Sequence, residues 1–117
     1  HIVVVGDVEA PAGSLRLEDG PAFGTGLHPT TAMCVEIVDE CCGDAPPASM
    51  LDVGTGSGIL ALAALRDGVG RVTAIDVDAE AVAAARRNAT ASHEGARIRL
   101  RSDPAPARPA GTACAGT

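Results

Sequence analysis

The segment Ser49-Met-Leu-Asp-Val-Gly-Thr-Gly-Ser-Gly58 is a short apolar run that ends in an acid and is followed by three glycines at alternate positions. Two prolines precede the run, and the apolar segment 59–65 follows the last glycine directly. This pattern is typical of a buried parallel strand followed by a helix, which Ser57 could cap. The glycines therefore fall on a strand-to-helix turn, where open α/β sheets bind nucleotide-like ligands.

The spacing of the glycines favours one class of cofactor. A dinucleotide fingerprint requires its third glycine where this chain has Ile59. The pattern Asp52-x-Gly54-x-Gly56-x-Gly58 instead resembles the first motif of Rossmann-like methyltransferases that use S-adenosylmethionine. By analogy with dinucleotide loops, the first glycine permits the turn, the second admits a ligand to the backbone, and the third lets the helix pack on the strand. A tight turn without a ligand and a dinucleotide-binding module stay open as alternatives.

The chain after this turn predicts a second strand, a helix and a third strand, at residues 71–76, 79–90 and 96–101. Asp76 then lies at the carboxyl end of a parallel strand, where a carboxylate can accept hydrogen bonds from two ribose hydroxyls. Asp78 is better interpreted as the N-cap of the following helix. We therefore predict Asp76 as a ligand contact and assign Asp78 a structural role.

The part of the chain before the glycine turn predicts two strands, an ordered loop and a helix. Residues 1–5 and 14–18 have strand character, residues 21–31 form the loop, and the helix begins near Pro29 and ends at Gly43. Helical spacing gives this helix one apolar face, made of Cys34, Ile37, Val38 and Cys41.

Two stretches in order carry a specific resemblance. Gly20-Pro-Ala-Phe-Gly-Thr-Gly-Leu-His-Pro-Thr-Thr31, then a helix, then Leu51-Asp-Val-Gly-Thr-Gly-Ser-Gly-Ile-Leu-Ala61 is similar to the methyltransferase family that modifies ribosomal protein eleven of the large subunit. The resemblance implies an α/β, Rossmann-like methyltransferase fold with a mostly parallel sheet, of which this chain is the cofactor-binding half. It also implies S-adenosylmethionine as cofactor and lysine N-methylation of a basic protein, such as a large-subunit ribosomal protein.

The resemblance implies five cofactor-binding residues: Thr31, Gly54, Gly56, Gly58 and Asp76. A threonine in a first helical turn can offer its hydroxyl and its backbone N–H to a carboxylate at the positive end of the helix dipole. The alternative for Thr31 is a role in stabilising the helix start, which contributes about 1 kcal/mol.

The loop before that helix is also implicated by the resemblance. Phe23, Gly24 and Thr25 would close over the cofactor, and Asp103 would lie near its adenine. The implied reaction is in-line attack of an unprotonated amine on the sulfonium methyl, in which the protein mainly supplies proximity and orientation. We assign no catalytic residue, because His28, before a proline in a glycine-rich loop, is more typical of a turn.

Composition restricts the partners. The net charge is −6, with nine basic residues that are all arginine, which argues against a nucleic-acid partner and is compatible with a basic protein substrate. The four cysteines include no C-x-x-C pair, so we predict no metal site. No apolar run is long enough to span a membrane, and no leader pattern is present, so we predict a cytoplasmic protein without a membrane partner.

The proposed domain division places the S-adenosylmethionine-binding core at residues 1–103 and an Ala/Pro/Gly-rich, disordered tail at residues 104–117. The family has later strands and an amino-terminal substrate domain that this sequence does not show. We therefore expect weak or no methyl transfer by the isolated chain, and a non-catalytic S-adenosylmethionine-binding fragment remains the alternative to an enzyme.

Overall fold

The structure, a computed structural model, describes residues 2–18 and 29–102, together with the backbone of residues 113–116. Its elements alternate between strands and helices, as the sequence pattern predicted. In chain order they are β1 (Val3–Val5), β2 (Leu15–Leu17), α1 (Pro29–Cys42), β3 (Ser49–Val53), α2 (Ile59–Arg66), β4 (Arg71–Ile75), α3 (Ala79–Ala91), β5 (Ile98–Arg101) and β6 (Ala113–Gly116). Within these described ranges, no helix is both long and apolar enough to cross a membrane.

The main sheet is parallel and has the strand order β5-β4-β3-β6. Its register pairs Val53 of β3 with Ile75 of β4, the last residue of each strand. Gly54 and Asp76, the residues that follow, therefore leave the sheet side by side at its carboxyl edge. This register alone brings the glycine turn next to the acid predicted for ribose binding.

Strand β6 differs from the sequence-based expectation for the tail. We predicted disorder from residue 104 onward, but residues 113–116 pair in parallel with β3, Leu51 opposite Cys114. The physical reason is that β3 still has one row of backbone hydrogen-bonding groups free after pairing with β4, and a short segment of small residues can satisfy that row without any side-chain periodicity. The main sheet thus has four strands rather than the predicted three, and the boundary at residue 103 stays a prediction.

A second, two-stranded sheet joins β1 and β2 in parallel. The connection between them is short for a parallel pair, and two backbone bonds extend the pairing at its ends, from Gly6 N to Leu17 O and from Leu15 N to Ile2 O, both 2.8 Å. Leu15 and Leu17 are fully buried. This small sheet therefore adds to the core through β2, which packs against α2 and α3.

The core is centred on α2, whose residues 59–65 are all buried. Helix α1 packs along α2, but not through the predicted face. Its buried residues are Val35, Val38 and Cys42, whereas Ile37 is 54% exposed. The prediction was wrong because α1 carries two apolar stripes at helical spacing, and only the position of α2 determines which of them is covered.

Candidate functional site

The glycine turn between β3 and α2 has a backbone that only glycine adopts without strain. Gly54, Gly56 and Gly58 have φ values of 73°, 56° and 86°. The N–H groups of Gly54 and Thr55 both donate to the carbonyl of Ile75 at 2.9 Å. The turn is therefore fixed on the end of β4, and a side chain at any of the three glycines would strain it.

The surroundings of the glycines separate their roles. A Cβ added at Gly56 would meet no atom of the described residues within 4 Å, so within this part of the chain open space adjoins the backbone where the sequence predicted the approach of a ligand. A Cβ added at Gly58 would lie 3.1 Å from Cβ of Ala85 in α3. The third glycine thus permits close packing of the turn against α3, rather than of α2 against its strand as predicted.

The start of α2 also corrects a prediction. Ser57 is not at the cap position; the N-cap is Gly58, which makes no side-chain cap bond. Gly58 has a left-handed φ, and Ser57 before it is buried. The first turn of α2 thus follows a glycine, which supplies no capping side chain.

Asp76 is held in place by two backbone N–H groups. Its Oδ2 accepts from Gly56 N at 3.0 Å, and its Oδ1 accepts from Asp78 N at 2.9 Å. Each oxygen of an ionised carboxylate has a second lone pair, so Asp76 can still accept hydrogen bonds from two hydroxyl groups.

Asp78 caps α3 by accepting a hydrogen bond from Glu80 N at 2.9 Å, which confirms the role predicted for it.

Asp52 is a buried acid under the turn that the sequence analysis did not assign to the site. It is fully buried, its Oδ2 accepts from the Thr55 hydroxyl at 2.8 Å, and its Oδ1 has no hydrogen-bond partner in the described part of the chain. Burial raises the pKa of Asp52 to about 6; the bond from Thr55 and the backbone N–H of Ala61 oppose this effect, and the charge of Asp76 adds to it. A fully buried carboxyl group thus lies only four residues before Gly56 in the chain.

We expect Asp52 to make stability depend on pH. Its pKa in the folded chain, about 6, is above its unfolded value, so between about pH 4 and pH 6 the folded state binds more protons and the free energy of unfolding falls as pH rises. Asp52→Asn removes this effect, so relative to the parent the variant should gain up to about 3 kcal/mol between pH 4 and pH 7.5. Urea unfolding at both pH values measures this difference, with Asp44→Asn at an exposed position as control. If the free energies of unfolding of Asp52→Asn and the parent differ by the same amount at both pH values, the pKa of Asp52 is not raised by burial.

Thr31 lies in the first turn of α1 and is half-buried. Near the other end of this helix, Asp39 bonds to Asp67, the C-cap of α2; burial and then this contact raise the pKa of Asp67 to about 7. Helices α1 and α2 are therefore in contact near their C-terminal ends. No hydrogen bond joins Thr31 to the glycine turn among the described residues, so the assignment of Thr31 to the cofactor site stays a prediction.

Four of the five predicted site residues are therefore close together: Gly54, Gly56, Gly58 and Asp76. The loop residues Phe23, Gly24 and Thr25, as well as His28 and Asp103, lie outside the described residues. The assignment of cofactor contacts to individual residues accordingly remains a prediction, made on a turn and an acid whose geometry suits a ribose-bearing ligand.

Known proteins similar to this chain point to one family. A family profile described as Ribosomal protein L11 methyltransferase matches residues 4–109. The Ribosomal protein L11 methyltransferase of Pelobacter propionicus is 53% identical over 77 residues, which cover 63% of this chain and 25% of that protein. The protein of the same name from Geotalea uraniireducens is 49% identical over 84 residues, covering 63% of this chain and 27% of that protein.

A solved structure agrees with these sequence relatives. The ribosomal protein L11 methylase of Lactobacillus delbrueckii subsp. bulgaricus matches with a TM-score of 0.65 and 33% identity, over 86% of this chain and 52% of that one. The predicted Rossmann-like methyltransferase fold is confirmed by this match. The chain spans about a quarter of the length of the curated relatives it matches.

Proposed function

This chain belongs to the ribosomal protein L11 methyltransferase family, and we propose that it forms the S-adenosylmethionine-binding part of such an enzyme. The observation that carries the proposal is the contact between Gly56 N and Asp76 Oδ2, with open space beside Gly56. A ribose-bearing ligand placed there would meet an oriented carboxylate and a backbone without side chains. These features fit S-adenosylmethionine, as the sequence resemblance predicted.

In the proposed complex each residue has a distinct task. Asp76 accepts hydrogen bonds from the ribose hydroxyls, the turn from Gly54 to Gly58 lies against the cofactor, and Thr31 binds the methionine carboxylate at the N-terminus of α1. The cofactor supplies an activated methyl group on a sulfonium. The chain's own contribution is to bind and orient it, since we assign no described side chain as a base.

The proposed substrate is a basic protein, in particular ribosomal protein L11, after which the relatives are named. The net charge of −6 supports this choice because opposite charges favour encounter with a basic partner. A lysine amine is the proposed acceptor, and the cytoplasm, where ribosomes are made, is the proposed location.

Calorimetric titration of the chain tests cofactor binding. We expect S-adenosylmethionine and S-adenosylhomocysteine both to bind, because they share the ribose and the methionine carboxylate that the site recognises. NAD serves as the competing ligand. The absence of binding by either sulfur compound at millimolar concentration would refute the proposal, and tighter binding of NAD would reinstate the dinucleotide alternative.

Methyl transfer is a separate test. We expect the 117-residue chain to transfer labelled methyl groups to ribosomal protein L11 far more slowly than a full-length family member assayed in parallel, because it spans about a quarter of its relatives' length. Scintillation counting of the precipitated substrate protein measures the rate. Turnover equal to that of the full-length enzyme would show that this chain carries the complete catalytic apparatus.

A further inference from the structure

Asn88 is a buried amide on a face of α3 that otherwise consists of small and aliphatic residues. It is 2% exposed, and its buried neighbours on the same helix are Val82, Ala85 and Ala89. Asparagine is unfavourable within a helix, and a buried amide without partners costs about 1–3 kcal/mol. A buried amide at this position is therefore stable only if hydrogen bonds to its oxygen and its nitrogen offset that cost.

The amide of Asn88 joins three separate segments. Its Oδ1 accepts from Glu18 N at 2.8 Å, just after β2, and its Nδ2 donates to Ser57 O at 2.9 Å, within the glycine turn. The orientation of the amide is fixed by its partners, since a backbone N–H can only donate and a carbonyl can only accept. One side chain of α3 thus holds both the end of β2 and the middle of the turn.

The bond to Ser57 acts on the segment that would bind the cofactor. Ser57 lies between Gly56, whose N–H bonds to Asp76, and Gly58, which packs against Ala85 of α3. Because Ala85 and Asn88 are three residues apart, they present adjacent contacts on one face of α3. The turn therefore contacts both α3 and the end of β4. Of the two α3 contacts named here, the packing of Ala85 has no direction, whereas the hydrogen bond from Asn88 fixes the orientation of a peptide group.

We propose that Asn88 is a positioning residue for the S-adenosylmethionine site: it orients the Ser57 peptide and so holds the Gly56 backbone against Asp76. The identity of the ligand in this inference rests on the proposed function, whereas the hydrogen bonds of Asn88 do not depend on it. The effect on the cofactor is indirect, through the turn. Loss of the amide should therefore weaken binding without removing any group that contacts the ligand.

The chain offers a matched control at the neighbouring position. Arg87 makes an exposed ion pair with Glu18, with Nη2 to Oε1 at 2.6 Å, so it also ties α3 to residue 18 but does not contact the turn. Val69→Ala is the second control, because Val69 is fully buried beyond the opposite end of α2 and its truncation lowers stability alone. Arg87→Gln reports the effect of losing a contact between α3 and residue 18, and Val69→Ala reports the effect of lower stability. Any further effect in Asn88→Ala is then due to the hydrogen bond to Ser57.

The experiment is titration of the parent, Asn88→Ala, Arg87→Gln and Val69→Ala with S-adenosylmethionine, at a temperature where circular dichroism shows all four to be folded. We expect Asn88→Ala to lower the affinity about tenfold, in line with one buried hydrogen bond. The two control variants should stay within about twofold of the parent. An equal loss in Asn88→Ala and Val69→Ala would overturn the inference, because the effect would then follow stability.

Amide hydrogen exchange tests the same inference without a ligand. In Asn88→Ala the amides of Gly54, Thr55 and Gly58 should exchange about tenfold faster than in Val69→Ala, whereas the amide of Val72 in β4 should not. If the parent fails to bind S-adenosylmethionine, the proposed function fails, but this comparison still decides whether Asn88 holds the turn. Unchanged exchange at these three amides would show that it does not.

Discussion

Replacing Asp76 by alanine is expected to lower the affinity for S-adenosylmethionine at least a hundredfold, the largest effect on binding that we expect from one substitution. The variant loses two charge-assisted hydrogen bonds to the ribose hydroxyls, each worth about 1.5–3 kcal/mol. The substitution also removes the two hydrogen bonds that the Asp76 carboxylate accepts from the backbone N–H groups of Gly56 and Asp78. The ligand contacts and the anchoring of the turn are thus lost together, and calorimetric titration measures the sum.

Two variants separate these contributions. Asp76→Asn keeps one carbonyl oxygen and the shape of the side chain, so we expect a smaller loss, about tenfold. Asp78→Ala removes the N-cap of α3, at a cost in stability of about 0.5–2 kcal/mol, but no proposed contact to the cofactor. If Asp76→Ala yields no folded protein while Asp78→Ala does, Asp76 is structural and its assignment to the ribose loses its basis.

The features of the site that could be predicted from the sequence are those set by local rules. The apolar run of β3, the left-handed glycines and the cap at Asp78 each depend on residues within a few positions of one another. The proximity of Gly54 and Asp76 needed one further rule, that parallel strands in a βαβ unit end at the same edge. Local pattern and this rule together predicted that the glycine turn and Asp76 lie next to each other.

The features that the sequence did not predict depend on contacts between distant segments. Whether α1 buries Val38 with Val35 or with Ile37 is decided by α2, and the burial of Asn88 is decided by the end of β2 and the turn. Strand β6 has no periodicity of its own and is ordered by its pairing with β3. No residue type or spacing within these segments carries that information.

Replacing Leu62 by alanine is expected to have the largest effect on stability, a loss of about 2–5 kcal/mol. Leu62 is fully buried in the middle of α2, the helix on which the core is centred. The sequence contains only one aromatic residue, so few large side chains could shift to fill the cavity. A domain of this size has roughly 5–15 kcal/mol of stability in total, so the variant would lose a large part of it.

Urea unfolding followed by circular dichroism measures this loss, and two variants complete the comparison. Ile37→Ala removes an apolar side chain that is 54% exposed on α1 and should cost less than about 0.5 kcal/mol. Leu62→Met keeps the volume and should cost less than about 1.5 kcal/mol. Since α2 directly follows the glycine turn, partial unfolding of this helix would release the turn, and the Leu62→Ala chain should lose affinity for S-adenosylmethionine as its folded fraction falls. A loss of under 1 kcal/mol for Leu62→Ala would mean that the packing around α2 is looser than the structure shows.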